Sequence, residues 1–484
     1  MNNTHFLDKE NIPLVHKKSK QEERLYLLIV ILIFTILCMG FIFINPIFEA
    51  NDESGHFQYA FYISKYNRIP SVYNEPISRE DYIKKYIDEN PTDVFYMDGK
   101  YMFFIIRGAN YYSDERHHPP IYYLISSQII KPFKVNNIYV ESNWPYSKRG
   151  YDFNIYKNNI IWQNQSQTFM LVLILRMFQL IYGIITIIFI YKILKLLFRD
   201  NIDKYSILLI SSIAFLPQFT FLYSYVNNDA LSYLFGLISI YFIMLLFERK
   251  KVYFGLIAIL IAGFASFTKL TMLVMLPLVI LTFFIWLIIN KKLKVILIFL
   301  ILIPIAILIS LFILSSKSLS TTYIYQNILA KGKGAINDSI KNFSIDRFLS
   351  ILPKSFKSCI GYFGWFYIPV ENFIYHFYIT YILSGIILFL SFIKKQKNNL
   401  VKLTFIIISI ISIFIYFTMY ATTNYVQTAG RIFFLAVILT FILSIVGYNN
   451  IKLPFKKILG YSLFSYFIII NIFCLYYHIY LNYY

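Results

Sequence analysis

Long apolar runs, separated by short basic stretches, dominate the sequence from about residue 25 onward. The runs are about 20 residues long, enough for a helix rising about 1.5 Å per residue to cross about 30 Å of hydrocarbon. A membrane-spanning barrel would instead alternate in segments of about ten residues. Because lipid contains no water to hydrogen-bond the backbone, each backbone group must find its partner within the protein. The pattern therefore predicts an all-α polytopic membrane protein with about eleven transmembrane helices. The predicted spans are residues 25–44, 168–190, 206–223, 230–247, 252–267, 270–289, 295–315, 373–393, 402–420, 431–447 and 458–478.

The orientation follows from basic residues beside the spans. The apolar block 252–289 is too long for one crossing, so we divide it near Lys269. With that division the short basic clusters all lie on one side, which the positive-inside rule assigns to the cytoplasm. Without it, the later clusters would face outward. The clusters are Lys192, Lys195, Arg199 and Lys204; Arg249, Lys250 and Lys251; Lys291, Lys292 and Lys294; Lys394, Lys395, Lys397 and Lys402; and Lys452, Lys456 and Lys457.

This orientation organises the chain around two long extracytoplasmic loops, residues 45–167 and 316–372. The first loop is too aromatic for a disordered linker, so we expect it to fold and to carry interfacial helices. Residues 1–24 form a basic cytoplasmic tail. Residues 25–450 form a transmembrane domain that includes both loops, and residues 451–484 form a cytoplasmic loop and the last span.

Composition supports the membrane assignment and removes one class of function. Of the 484 residues, 58% are hydrophobic and 14% are charged, against about 25% charged in an ordinary soluble domain. The formal net charge of +20 would suit nucleic acid, but most Lys and Arg residues border apolar runs, so we expect no nucleic-acid partner. Residue usage resembles that of an AT-rich bacterial genome, so we expect the bacterial cytoplasmic membrane.

An acidic cluster directly follows the first span. Asn51 can cap a helix whose first turn carries Asp52 and Glu53, and His56 shares a helical face with Asp52. The aromatic residues that follow make this helix amphipathic and suited to the membrane interface. The acids could simply complement the helix dipole. Three ionisable groups at a membrane surface exceed what a cap requires, so we predict Asp52, Glu53 and His56 as catalytic residues.

Adjacent histidines, His117 and His118, lie in the same loop within Asp-Glu-Arg-His-His-Pro-Pro at 114–120. They could bind a metal, position an acid, or cap the short apolar helix that begins near Ile121. Without a further ligand at suitable spacing, paired histidines are a weak metal signal. The sequence leaves the presence of a metal open.

Two more polar groups are predicted at the outer ends of spans. Asn228 and Asp229 lie between the third and fourth spans, where Asn-Asn-Asp is also ordinary turn chemistry. Lys269 and Arg431 could be snorkelling anchors, although an anionic lipid phosphate would need cations in the same place. The predicted topology rests on span length and cytoplasmic charge alone and does not depend on these polar groups. Convergence of all these groups on the outer face therefore indicates one composite site.

The order of these motifs resembles the GT-C superfamily of membrane glycosyltransferases. The matching elements are Asn-Asp-Glu-x-x-His after the first span, His-His-Pro-Pro-x-Tyr-Tyr, Asn-Asn-Asp-Ala, Thr-Lys-Leu and Gly-Arg. Within that superfamily the chain looks most like a bacterial family related to the protein O-mannosyltransferases and the lipid A aminoarabinose transferases. The resemblance covers roughly residues 25–450.

The resemblance implies a polyprenyl-phosphate-linked sugar as donor and an acidic residue of the first outer loop as general base. Asp52 matches that position, and inversion at the sugar is expected. Arg431 and Lys269 would stabilise the departing phosphate, while His117, His118, Asn228 and Asp229 would contribute to substrate binding. The acceptor would be an extracytoplasmic glycan, lipid or protein. Relatives differ in needing a divalent metal ion, and no other cofactor is implied.

Two other functions fit the same features. A transporter or flippase for lipid-linked glycans would place ionisable residues near the bilayer midplane, whereas the predicted span interiors hold almost no charge apart from Arg176. A ligase or polymerase that moves whole glycans would have similar outer loops. The transferase is preferred because a carrier leaves the long outer loop unexplained.

Overall fold

A computed structural model describes residues 11–67, 69, 102–105, 118–135, 139–142, 167–199, 202–292, 294–295, 345–364, 368–423 and 430–481. The described chain is dominated by α-helices. They are α1 (Asn11–Ile44), α2 (Glu53–Tyr66), α3 (Ile121–Ile130), α4 (Gln167–Leu197), α5 (Lys204–Leu208), α6 (Ser211–Ala214), α7 (Pro217–Leu222), α8 (Asp229–Arg249), α9 (Val252–Thr268), α10 (Met275–Ile289), α11 (Ile345–Ile360), α12 (Asn372–Ser391), α13 (Leu400–Thr423), α14 (Phe434–Tyr448) and α15 (Leu453–Phe473).

Short elements complete the described fold. Strands β1 (Met102–Ile105) and β2 (Tyr139–Ser142) form an antiparallel pair with Met102 opposite Ser142, and β3 (Tyr362–Phe363) pairs with β4 (Ile368–Pro369) in the same sense. Four 3-10 segments are Lys131–Phe133, Leu270–Val274, Ile393–Asn399 and Gly430–Phe433, and Cys474–Tyr480 is a π-helix that continues α15.

Eight helical segments in the described part of the chain are long and apolar enough to cross a membrane. They are Gln21–Ile44, Gln167–Leu197, Asp229–Arg249, Leu270–Ile289, Asn372–Ser391, Leu400–Met419, Gly430–Tyr448 and Leu453–Tyr480. Each overlaps one predicted span, so the all-α polytopic class is confirmed. Predicted span 252–267 corresponds to α9, which is shorter at 17 residues. Predicted span 295–315 lies outside the described residues except for its first position.

The predicted continuous span 206–223 is instead three short buried helices, α5 to α7. Pro217 begins α7, and the residue before it, Leu216, is extended with ψ 124°. A proline ring disfavours helical backbone in the preceding residue, which explains the break. The break leaves the carbonyl of Phe215 outside a regular helix, where it accepts a hydrogen bond from Asn471 Nδ2 at 3.0 Å.

The predicted division near Lys269 is confirmed. Helix α9 ends at Thr268, Lys269 is extended (φ −151°, ψ 130°), and a 3-10 turn precedes α10. No proline or glycine causes this break. Instead, the Lys269 side chain forms an ion pair with Asp229. A continuous helix would place the Lys269 side chain differently relative to Asp229.

Helices α12 and α14 approach closely through two glycines. A Cβ atom on Gly447 would lie 2.0 Å from the carbonyl oxygen of Gly385, and one on Gly385 would lie 2.5 Å from Ser444 Cβ. Small residues allow such backbone contact between helices in lipid, where apolar burial alone gives little drive for association. This contact fixes α14, which begins beside Arg431.

Ion pairs mark one end of the bundle. The first turns of α5 and α15 and the last turns of α4 and α8 meet there, close to the start of the first span. The pairs are Lys195–Glu23 at 3.0 Å, Lys204–Glu22 at 3.2 Å, Lys402–Glu248 and Lys456–Asp203. The opposite end, where α1 ends and α8 and the Gly430–Phe433 turn begin, carries the candidate site.

Candidate active site

The turn between α1 and α2 places Asp52 in an unusual backbone conformation. Asp52 has φ 60° and is the N-cap of α2, which begins at Glu53. The predicted cap Asn51 is therefore wrong: its Nδ2 donates to Asp52 Oδ2 at 3.1 Å instead. Phe48, in the same turn, has φ 67°. Left-handed conformations are costly for residues with a Cβ, and persist where surrounding contacts determine them.

Asp52 belongs to a network of charged side chains that also includes Arg431, Asp229 and Lys269. The carboxylate of Asp52 forms an ion pair with Arg431, and Nη1 of Arg431 lies 3.8 Å from Oδ2 of Asp229. Asp229 also pairs with Lys269 and accepts a hydrogen bond from the Tyr233 hydroxyl at 2.8 Å. Four of the residues predicted from the sequence thus form one continuous network.

The carboxylates of this region differ in accessibility. The side chain of Asp52 is 26% exposed, whereas those of Asp229 and Glu53 are fully buried. Arg431 is 10% exposed at its side chain. A ligand that enters the site can therefore reach the carboxylate of Asp52, and it meets Arg431 beside it.

Glu53 faces away from this network, into a second one. Its carboxylate accepts two hydrogen bonds from Arg176, at 2.8 and 2.6 Å, and both side chains are fully buried. It also accepts from the backbone amides of Phe48 at 2.8 Å and Val226 at 2.9 Å. The bidentate pairing of guanidinium and carboxylate uses the strongest geometry available to the two groups.

His56 contacts aromatic residues on α3. Its Nδ1 lies 2.8 Å from the Tyr123 hydroxyl, which also accepts from Asn228 Nδ2 at 3.4 Å. The Tyr123 ring stacks on Tyr59 with centroids 3.8 Å apart. Ten of the fourteen residues of α2 are buried, so its burial extends beyond the single apolar face that the sequence pattern predicts. The wider burial arises because α3, the start of α4 and the start of α8 share one apolar cluster with α2.

His118 lies next to these groups and is held neutral. Burial lowers the pKa of its imidazole to about 3, with Lys269 and Arg431 acting in the same direction against the nearby Asp52 and Asp229. Its ring centroid lies 5.8 Å from that of His56. A neutral imidazole can donate or accept a hydrogen bond at neutral pH but supplies no positive charge. The other predicted histidine, His117, lies outside the described residues.

The charge arrangement also bears on a divalent metal. Arg431 and Lys269 already pair with Asp52 and Asp229, and two cations placed there repel a third positive ion. The described residues contain no group of three or more His, Cys, Asp or Glu side chains that could hold a metal. The described side chains of this site therefore pair with one another, and Asp52 and Asp229 each have a cationic partner.

Gly430 fixes the backbone beside Arg431 by close packing. Its amide donates to Ser358 Oγ at 2.6 Å, and a Cβ would lie 2.3 Å from both the Ser355 carbonyl oxygen and Cys359 Sγ. The space above this glycine is therefore filled by α11 and is not open to a lipid phosphate. Gly430 serves to bring α11 against the turn that presents Arg431.

We expect Gly430→Ala to displace Arg431 and reduce activity at least about tenfold. Overpacking of this kind typically costs about 1–3 kcal/mol of stability, and the backbone carbonyl of Ser355 cannot rotate away. The matched control is Gly263→Ala, because a Cβ there meets no atom within 4 Å. Thermal melting and activity of both purified variants check this; equal behaviour of the two would contradict it.

A known family model matches part of the chain. Residues 171–314 match the family model described as dolichyl-phosphate-mannose-protein mannosyltransferase. This match confirms the resemblance to the GT-C superfamily. The matched segment includes Arg176, Asn228, Asp229 and Lys269, whereas Asp52 lies outside it.

A solved structure is also similar in part. The apo crystal structure of the oligosaccharyltransferase of Archaeoglobus fulgidus aligns over 94% of this chain and 55% of that chain, with 12% sequence identity and a TM-score of 0.44. The chain thus spans about half the length of that protein. No curated protein sequence matches the chain.

The residues that the sequence did not reveal are mostly hydrogen-bonding partners of the predicted site residues. In the sequence, Arg176 stands out only as a charge inside a predicted span. A buried charge in lipid needs a partner, and this is the signal that could have pointed to Glu53. Tyr123 entered the sequence analysis only as the end of the His-His-Pro-Pro-x-Tyr-Tyr motif, without a role of its own, and Tyr233 carried no signal among the 43 tyrosines of the chain. Their hydroxyls nevertheless contact His56 and Asp229.

Proposed function

We propose that this chain is a membrane glycosyltransferase that transfers a sugar from a polyprenyl-phosphate donor to an extracytoplasmic glycan, lipid or protein, with inversion and with Asp52 as general base. The observation that supports this most is the pairing of Asp52 with Arg431 in a partly accessible site, while Asp229 and Glu53 are buried. A base for the acceptor and a cation for the donor phosphate then lie side by side.

In the proposed reaction Asp52 takes the proton of the acceptor hydroxyl while that oxygen attacks the anomeric carbon. The bond from this carbon to the phosphate oxygen breaks, and its electron pair leaves with the polyprenyl phosphate. Arg431, with Lys269 behind it, stabilises the charge that develops on the leaving oxygen. A single displacement of this kind inverts the anomeric configuration.

The remaining site residues have supporting roles in this proposal. Asp229 accepts from Lys269 and lies 3.8 Å from Arg431, so it anchors both cations for the phosphate. Neutral His118 offers a hydrogen bond to the acceptor or the donor. Asn228 and His56 both contact the Tyr123 hydroxyl, and in this proposal they fix the position of that side chain.

A carrier for lipid-linked sugars is the main competing function, and reconstitution separates the two. The purified chain in proteoliposomes, given a labelled polyprenyl-phosphate sugar and an acceptor extract from the cell envelope, is expected to release polyprenyl phosphate. Movement of intact donor across the bilayer without cleavage would overturn the transferase proposal. A pyrophosphate-linked oligosaccharide used in preference to the monosaccharide donor would favour the ligase.

The proposed orientation can be tested by thiol labelling of intact cells. We expect an impermeant maleimide to label Ser350→Cys, an exposed position of α11, but not Lys251→Cys, in the basic turn after α8. Background should be low because Cys38, Cys359 and Cys474 are all buried. Labelling of Lys251→Cys with protection of Ser350→Cys would place the site on the cytoplasmic side.

A further inference from the structure

The ion pair of Glu53 and Arg176 makes contacts that account for every donor of the guanidinium. Arg176 Nε and Nη2 donate to the two carboxylate oxygens of Glu53, at 2.8 and 2.6 Å. The other three N–H groups donate to backbone carbonyls at the end of α1 and just beyond it. These carbonyls are Ile42 at 2.8 Å, Asn45 at 2.7 Å and Pro46 at 3.0 Å. Five donors meeting five acceptors is the full capacity of an arginine.

Glu53 extends the same network to the second acidic segment of the site. Besides Arg176, its carboxylate accepts from the amide of Phe48, inside the turn, and from the amide of Val226. Val226 lies three residues before Asp229, and Glu53 directly follows Asp52. One buried carboxylate therefore fixes the backbone next to both acids of the accessible site.

The turn held by this pair is conformationally demanding. Phe48 and Asp52 both adopt positive φ, at 67° and 60°. Such residues remain in place only where neighbouring contacts outweigh their preference for other conformations. Among the contacts that hold this turn, Arg176 binds backbone carbonyls at its start and Glu53 binds the backbone amide of Phe48 in its middle.

From these contacts we infer that Glu53 and Arg176 are positioning residues: their pair, and no direct contact with substrate, holds the Asp52 carboxylate at the point where it meets the acceptor. The inference rests on the proposed function and assigns Glu53 away from direct catalysis or metal binding. The pair reaches Arg431 and Lys269, which bind the donor in the proposed function, only indirectly, through the backbone beside Asp52 and Asp229. Loss of the pair should therefore reduce kcat and leave donor KM largely unchanged.

The experiment compares Glu53→Gln and the double variant Glu53→Leu/Arg176→Met with the wild type. Removing one partner of a buried ion pair leaves an uncompensated charge, whereas the double variant leaves none, and thermal melting of each variant checks that it folds. A displacement of about 1 Å can cost about 10²-fold in rate. We expect a kcat loss of that order in both variants, with donor KM within about threefold of wild type.

The chain offers a matched control on α4, the helix that carries Arg176. Glu23 of α1 pairs with Lys195 of α4 at 3.0 Å at the opposite end of the bundle. The variant Glu23→Leu/Lys195→Met should retain the kcat and KM of the wild type. A wild-type kcat for Glu53→Gln, or an equal kcat loss in the control, would overturn the positioning role.

A second readout is independent of catalysis. The thiol introduced by Asp52→Cys is labelled with a small methanethiosulfonate reagent, with and without Glu53→Gln. We expect the labelling rate to change several-fold when Glu53 is replaced, because the turn is released. If the wild type transfers no sugar but this change occurs, the proposed function fails and the positioning role stands. Unchanged labelling, together with unchanged kcat in an active enzyme, would refute the positioning role.

Discussion

Replacing Asp52 with asparagine is expected to reduce sugar transfer by about 10²–10⁴-fold, the usual cost of losing a general base. Asparagine keeps the size of the side chain and tolerates positive φ, so the turn should persist. It cannot accept a proton from the acceptor. The measurement is the initial rate of transfer by the purified variant, with thermal melting to check folding.

The control for this variant is Asp203→Asn. Asp203 is also a partly exposed aspartate, 32% at its side chain, that pairs with a lysine and caps a helix, but at the opposite end of the bundle. We expect that variant to transfer sugar at the wild-type rate. Near-normal turnover by Asp52→Asn would remove Asp52 from its role as base.

Replacing Arg431 with alanine is expected to lower the transfer rate by about 10²–10³-fold, the typical cost of removing a group that stabilises a leaving oxyanion. Arg431→Lys should lie between the alanine variant and the wild type. A guanidinium can hold two phosphate oxygens at once, which an ammonium cannot reproduce. Donor-dependent kinetics of both variants in nanodiscs give the measurement.

The lysine variant decides between the phosphate site and a snorkelling anchor. An anchor at the membrane interface needs only a long cationic side chain, so lysine would replace it with little loss. Arg431 is buried and paired with Asp52, which is unlike a side chain that reaches for the interface. Wild-type kinetics for Arg431→Lys would therefore contradict its role at the donor phosphate.

The spans and most of the network could be predicted from the sequence for simple physical reasons. Apolar length identifies a crossing, and charged residues at span ends are so few that each invites a functional explanation. Asp52, Asp229, Lys269 and Arg431 were found in this way and meet in the structure. The break at Lys269 further shows that basic clusters beside the spans can reveal a division within a long apolar block.

Other features depend on contacts that no local pattern contains. Glu53 and Arg176 are 123 residues apart. The sequence therefore could not show that Glu53 pairs with Arg176 and does not share the network of Asp52. Asn51 matched a capping pattern, but the positive φ of Asp52 starts the helix one residue later. The position of Pro217 could have predicted the break before α7, although the broken segment is as apolar as a continuous span.

The most direct test of the proposed reaction is product analysis with a donor of known anomeric configuration. The purified chain is incubated with a polyprenyl-phosphate sugar and acceptor, and the lipid and sugar products are analysed by mass spectrometry and NMR. The proposed reaction releases one polyprenyl phosphate for each sugar transferred and inverts the configuration at the anomeric carbon. Retained configuration, or intact donor with no released polyprenyl phosphate, would contradict it.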